Sequence, residues 1–250
     1  MFGEFATAKA IQLPTVSYVI AQDIAKSVDY TTTVIHQIRP ETIISASNNE
    51  SSRIYTFEDE VFRDKVQLRY TELPQYTKEL MSSLELSGRS ALLIDMTGIG
   101  AAIYDMYDSF GLDPLGIVFS SGNASNVHTN RNSSRSRFAN VSHISVPKSD
   151  LIAALKLSVE QGRLRIAKGL RYAEEAENQF RHFVGKFNTD TKKVKMENDS
   201  PEIHDDFVVT EAMCAWYVQH MKGLYKERAL KPRPTITSYK KNPFNDKEWT

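Results

Sequence analysis

Ala91-Leu92-Leu93-Ile94-Asp95-Met96-Thr97-Gly98-Ile99-Gly100 is the stretch on which the fold turns. Residues 91–94 carry no polar side chain, the mark of a strand buried on both faces. The run closes on a carboxylate and a glycine-containing turn, then enters a helix through Tyr107. Leu115 to Phe119 is a further apolar strand. Strand, helix, strand in this order implies a parallel crossover. Asp95 at the end of a buried strand is costly unless something compensates it, and a bound divalent metal is the usual reason.

Working outward, two other hydrophobic segments carry acids in comparable places. Val16 to Ile20 reads as a strand, with Asp23 just beyond it, and Asp205-Asp206 open an apolar helix from Phe207 to Met221. Three acidic positions on three separate elements suggest one cluster assembled by the fold, an arrangement suited to two-metal phosphodiester hydrolysis. For any one acid taken alone, a solvated strand end or a helix cap is the better reading. Thr31 to Ile38, rich in β-branched residues, is a second strand, with a short polar connection suggesting a hairpin, and Arg53 to Phe57 can add a third. Early hairpin, later parallel strand and terminal helix are the order expected of a ribonuclease-H-like fold, an α/β architecture with a mixed sheet flanked by helices.

The rest of the chain is less pointed. Val66 to Leu86 has helical spacing, with Pro74 as a weak break or kink. Residues 120–142 read as a long surface loop, dominated by Ser, Asn, Arg and Gly. Ser149 is a plausible N-cap for a helix from Asp150 to Gln161, which Gly162 stops. Leu164 to Ala167 is a short strand, Ala173 to Phe183 a helix, Lys192 to Met196 an edge strand or hairpin arm, and 197–203 a turn. The expected organisation is a leader over 1–14, one domain over 15–222, and a basic, proline-containing tail over 223–250.

Composition excludes several classes. The chain has 250 residues, 41% hydrophobic and 25% charged, as in an ordinary globular protein with a real core. Its formal net charge is zero, so a nucleic-acid partner needs a local basic patch. One cysteine, Cys214, permits neither a disulfide framework nor a cysteine zinc site, and its apolar neighbours suit a buried thiol. No apolar run approaches membrane-spanning length and no signal peptide is evident, so the expected compartment is the cytoplasm.

Four stretches carry a family resemblance. They are Ile20-Ala21-Gln22-Asp23-Ile24-Ala25-Lys26 with Asp29-Tyr30-Thr31, then Leu92 to Gly100, then Val146-Pro147-Lys148-Ser149-Asp150-Leu151-Ile152, then His204-Asp205-Asp206. In this order, over roughly residues 15–220, the chain resembles the C-terminal nuclease domain of the large terminase subunit of tailed bacteriophages. The resemblance implies an endonuclease that cuts concatemeric viral DNA with two magnesium or manganese ions. It implies double-stranded DNA, a packaging ATPase, the small terminase and the portal as partners. Those proteins also carry an ATPase with a phosphate-binding loop. No G-x-x-x-x-G-K-[ST] occurs here, so the expectation is an isolated domain, a split subunit or a prophage remnant.

The expected roles follow. Asp23, Asp95 and Asp206 are the catalytic metal ligands. Asp205 is a second ligand or only a cap favoured by the helix dipole, and Asp29 is an accessory ligand or a turn residue. His204 orients a water or phosphate, or is structural. Arg131, Arg135, Arg137 and Lys148 contact DNA phosphates, against the alternative of a solvated polar loop. Gly98 and Gly100 fit a tight turn beside Asp95. Alternatives for the whole chain are a Holliday-junction resolvase or RNase H-type nuclease, which would use the same acids, and a catalytically silent module that docks onto a packaging motor.

Overall fold

In the computed structural model the described residues are 17–24, 30–44, 52–98, 101–120, 122, 124–129, 141–188, 193–200 and 202–220. The expected leader over 1–14 and tail over 223–250 lie outside them. Ten strands and five helices follow along these residues. They are β1 (Tyr18–Asp23), β2 (Thr31–Ile44), β3 (Ser52–Val66), α1 (Leu73–Met81), β4 (Ser90–Asp95), α2 (Ala101–Ser109), β5 (Pro114–Ser120) and β6 (Asn126–Thr129). Then come β7 (Val141–Pro147), α3 (Lys148–Glu160), β8 (Leu164–Ile166), α4 (Ala173–His182), β9 (Phe183–Asn188), β10 (Lys193–Asn198) and α5 (Asp206–His220).

Eight strands form one mixed sheet in the order β6-β7-β5-β4-β1-β2-β3-β8, and β9 pairs with β10 separately. Three antiparallel strands, β3, β2 and β1, lead into the parallel series β1, β4, β5 and β7. This is the ribonuclease-H-like order. β1 and β4 read as uninterrupted apolar runs because both faces of each are covered. Tyr18, Ile20, Leu92 and Ile94 pack with Leu73 of α1 and with Tyr104 and Tyr107 of α2. Val19, Ala21, Ala91 and Leu93 pack with Leu151, Ala176 and the length of α5. Alternation along the strands therefore sends Asp23 and Asp95 to the α5 layer.

Helix α5 is buried from Phe207 through Val218, apolar nearly all round, as a helix enclosed by other layers must be. Cys214 lies inside it, fully buried, and burial pushes its thiol well above the usual range.

β3 is longer than Arg53–Phe57, because its second half is a charged run that hydropathy does not read as a strand. Its register against β2 shifts at Val61: His36 pairs with Glu60 and Ile35 with Phe62, leaving Val61 as the extra residue of a β-bulge. Strict alternation from Glu58 would send Arg63 and Lys65 away from α5. With the bulge, Glu58, Glu60, Arg63 and Lys65 all face it.

Four other expectations are corrected. Val66 to Leu86 is not one helix. α1 covers only its middle, and Pro74 stands in the first turn, where a missing N–H costs nothing, rather than breaking a longer helix. The expected loop over 120–142 contains β6, which pairs with β7 through Asn126↔Ser145 and Val127↔Ile144. Ser149 is not an N-cap. α3 starts at Lys148 after Pro147, and Ser149 Oγ lies instead against Asp150. The helix from Ala173 stops at His182, where Phe183 begins β9. Gly162 stops α3 as expected, with φ 62°.

Candidate active site

Asp23 and Asp95 stand at the C-terminal ends of neighbouring parallel strands. Gln22 pairs with Ile94, so the next residue on each strand brings the two carboxylates side by side. Crevices outside the carboxyl ends of parallel strands are the general ligand site of open α/β sheets. β5 and β7 end at the same rim, where Ser120 pairs with Pro147 and Lys148 follows. From the other side Asp23 pairs with Thr32 of β2, and Thr32 Oγ1 donates to the Asp206 carbonyl at 3.5 Å. That contact seats the first turn of α5 against the end of β1. Strand ends and helix start thus deliver Asp23, Asp95, Asp205 and Asp206 to one place.

The electrostatics record the crowding. Burial raises the Asp23 carboxyl well above its usual range, and the charges of Asp95, Asp206 and Asp205, in falling order, raise it further; Lys148 works against them. Asp95 is also raised by burial, opposed by hydrogen bonds from Thr97 and Asp23 and by Lys148. The Thr97 backbone N–H donates to Asp95 Oδ1 at 2.7 Å, in a turn where Gly98 takes φ 78°. Lys148 Nζ is 2.5 Å from Asp205 Oδ2, with both side chains nearly a third exposed. Lys148 also lies 5.7 Å from the Phe183 ring centroid.

Carboxylate oxygens are the hard donors that magnesium and manganese prefer, and a crowded site with raised carboxyls is one that a cation relieves. In this arrangement the side chains are engaged with Thr97, Lys148 and one another. Among the described residues, no three His, Cys, Asp or Glu side chains already stand as a metal-holding set. The donor chemistry suits divalent cations.

Of the remaining expected site residues, His204 is exposed, one residue before Asp205, and has a contact of its own. Asp29, Arg131, Arg135 and Arg137 lie outside the described residues. Sequence reasoning missed the buried charges behind the site. His36, Glu58, Glu60, Arg63 and Glu211 are all sealed from solvent. His36 Nε2 meets Glu211 Oε2 at 2.6 Å, Arg63 Nη2 meets Glu60 Oε2 at 2.6 Å, and Ser158 Oγ donates to Glu58 Oε1 at 2.7 Å. Burial first, and then the neighbouring Glu211, push Glu60 upward. The available signal was the dense charged run over 58–65.

A ribonuclease-H-like α/β domain with two carboxylates at its central strand ends, met by two at the start of α5, is therefore the class that fold and site define. No family model matches the chain, and no curated protein matches it. Among solved structures it is similar to the nuclease domain of the large terminase subunit gp2 of bacterial virus Sf6. Sequence identity is 13%, the TM-score is 0.48, and the match covers 80% of this chain and 87% of that one. Among the described residues, no helix is long and apolar enough to cross a membrane.

Proposed function

We propose that this chain is a metal-dependent endonuclease that hydrolyses DNA phosphodiesters during viral genome packaging. The observation that carries the reading is the convergence of Asp23, Asp95, Asp205 and Asp206 at one rim, where the charges of the other three all act on Asp23. Asp23, Asp95 and Asp206 would hold two magnesium or manganese ions, with Asp205 in support. Metal held by these carboxylates would supply an activated water and stabilisation of the leaving oxygen. The chain's own part is to fix the carboxylates: Thr97 aligns Asp95, Thr32 seats the start of α5, and Lys148 neutralises Asp205.

The ordered motifs around these acids favour the terminase nuclease over a resolvase or RNase H. On this reading a packaging ATPase, a small terminase and a portal are its partners. Arg131, Arg135 and Arg137, together with Lys148, would hold DNA through phosphates, which position a duplex without reading its sequence. Cleavage of supercoiled plasmid is the test, with magnesium, manganese or chelator, beside the Asp23→Asn variant. Metal-dependent nicking that the variant lacks is the expected result. Equal cleavage by both proteins, or none by either, overturns the proposal.

A further inference from the structure

The row that starts at Asp23 continues across the sheet. Asp23 pairs with Thr32 and Thr32 with Lys65, all three on the α5 side. At about 4.8 Å per strand, the Lys65 backbone lies about 10 Å from that of Asp23. Lys65 Nζ sits between two aromatic rings, 4.9 Å from the centroid of Tyr30 and 5.1 Å from that of Tyr172. Arg171 lies 5.1 Å from the same Tyr172 ring and pairs with Asp64 at 2.7 Å. Tyr30 is 47% exposed, and the Arg171 side chain 65%.

Tyr172 is held in a costly conformation. It is the single non-glycine described residue with positive φ, at 57°, a region that costs on the order of 1 kcal/mol or more for a tyrosine. Its hydroxyl accepts from Arg171 at 3.2 Å and donates to the Lys65 carbonyl at 3.4 Å, and its ring stacks on Phe207 at 6.1 Å. A strained aromatic bracing two cations, beside an exposed second aromatic, is more than solvation of a strand end requires.

We propose that Lys65 and Arg171, propped by Tyr30 and Tyr172, form a subsite for the phosphate backbone of double-stranded DNA on the β3 flank of the acid cluster. The inference rests on the reading of that cluster as a DNA hydrolase. An acidic peptide would gain the same two cations but would approach the carboxylates with nothing to exchange there. A phosphate polymer continues through both. Lys148 rises from the end of β7 on the opposite flank and reaches back to the acids, where its Nζ lies 2.5 Å from Asp205 Oδ2. The backbone thus runs across the rim, from Lys148 over the acids to Lys65. Glu175, 2.5 and 2.7 Å from Lys65 Nζ, is the built-in counter-ion that a phosphate displaces.

The test is binding of a labelled DNA duplex in chelator across a salt series, which reads affinity without cleavage. The Lys65→Gln, Arg171→Gln double variant should flatten the log-log salt slope by about 1.8, at about 0.9 for each phosphate no longer neutralised. Lys156→Gln, a charge change on the outer face of α3, should leave the slope alone, and Lys65→Arg should retain it. Glu175→Gln should tighten binding by freeing Lys65, and it decides the matter if the double variant does not fold. A wild-type slope in a folded double variant, or no tightening by Glu175→Gln, overturns the subsite. If the double variant flattens the slope but plasmid is not cut with metal, the subsite stands and the hydrolase reading falls. The converse removes the subsite alone.

Discussion

His36 Nε2 on β2 and Glu211 Oε2 on α5 are 2.6 Å apart, and neither side chain reaches solvent. This contact ties the middle of α5 to the sheet one and a half turns beyond Asp206, so it helps set where the helix start lies over Asp23. Burial alone would push His36 down. The charge and hydrogen bond of Glu211, with Glu58, more than reverse this and bring it from 6.5 to about 10. Glu211 is held below its ordinary value against burial, chiefly by the His36 charge.

The signs give a pH profile. His36, raised in the folded state, contributes stability that is complete below pH 6.5 and is lost as pH rises towards 10. Glu211, lowered in the folded state, contributes stability that is lost as pH falls below its ordinary 4.5. Denaturant unfolding should therefore show a declining free energy between pH 6.5 and 10, and His36→Gln should flatten that limb. Glu211→Ala leaves His36 buried without its partner and should cost about 3–5 kcal/mol at pH 7. A flat limb in the wild type would remove the charged pair from the account.

Asp23→Asn should raise the metal-free Tm or leave it unchanged, because it relieves repulsion from Asp95, Asp206 and Asp205. It should also abolish the rise in Tm on adding manganese, since an ion bound only by the native state stabilises it by mass action. Thermal melts with and without manganese check both halves. Asp95→Asn should behave alike, with a smaller metal-free gain because Asp95 already has the Thr97 N–H.

Lys148→Gln should do the opposite. It removes the cation beside Asp205 and should lower the metal-free stability, by about 1 kcal/mol or less for so exposed a pair. The metal titration midpoint should move to lower concentration, because Asp205 is no longer shared with an ammonium. Calorimetric titration with manganese reads the shift directly; a midpoint moved to higher concentration would make Lys148 a helper rather than a competitor.

Tyr107→Phe tests the opposite layer. Gln22, the residue before Asp23, is buried; its Oε1 accepts from Tyr107 at 2.9 Å and Thr77 at 3.1 Å, and its Nε2 donates to Thr33 at 3.1 Å. Losing one donor of two should cost about 1 kcal/mol in chemical denaturation.

The central strands and their acids were legible because β1 and β4 are apolar on both faces, so a terminal Asp breaks the pattern visibly. The start of α5 was legible for the same reason. β3 was not. Its Glu58, Asp59, Glu60 and Arg63 are buried by partners far away in sequence, such as Arg165 and Glu211, which local hydropathy cannot report. Lys65 and Tyr172 escaped notice because a bulge and a left-handed backbone, neither encoded by glycine, bring them together. β6 was hidden in a polar stretch that forms a strand only because β7 offers its free edge.

Val61 gives β3 a polarity of charge. Before it, the side chains turned to α5 are the acids Glu58 and Glu60; after it, they are the bases Arg63 and Lys65. One strand carries a gradient whose positive end lies at the rim where the carboxylates gather. On the proposed reading, opposite signs side by side at the rim would draw small cations inward and an anionic polymer to the flank. One more residue beside Val61 would turn Arg63 and Lys65 to the other layer and erase the gradient. The chain would keep its net charge of zero and lose the field.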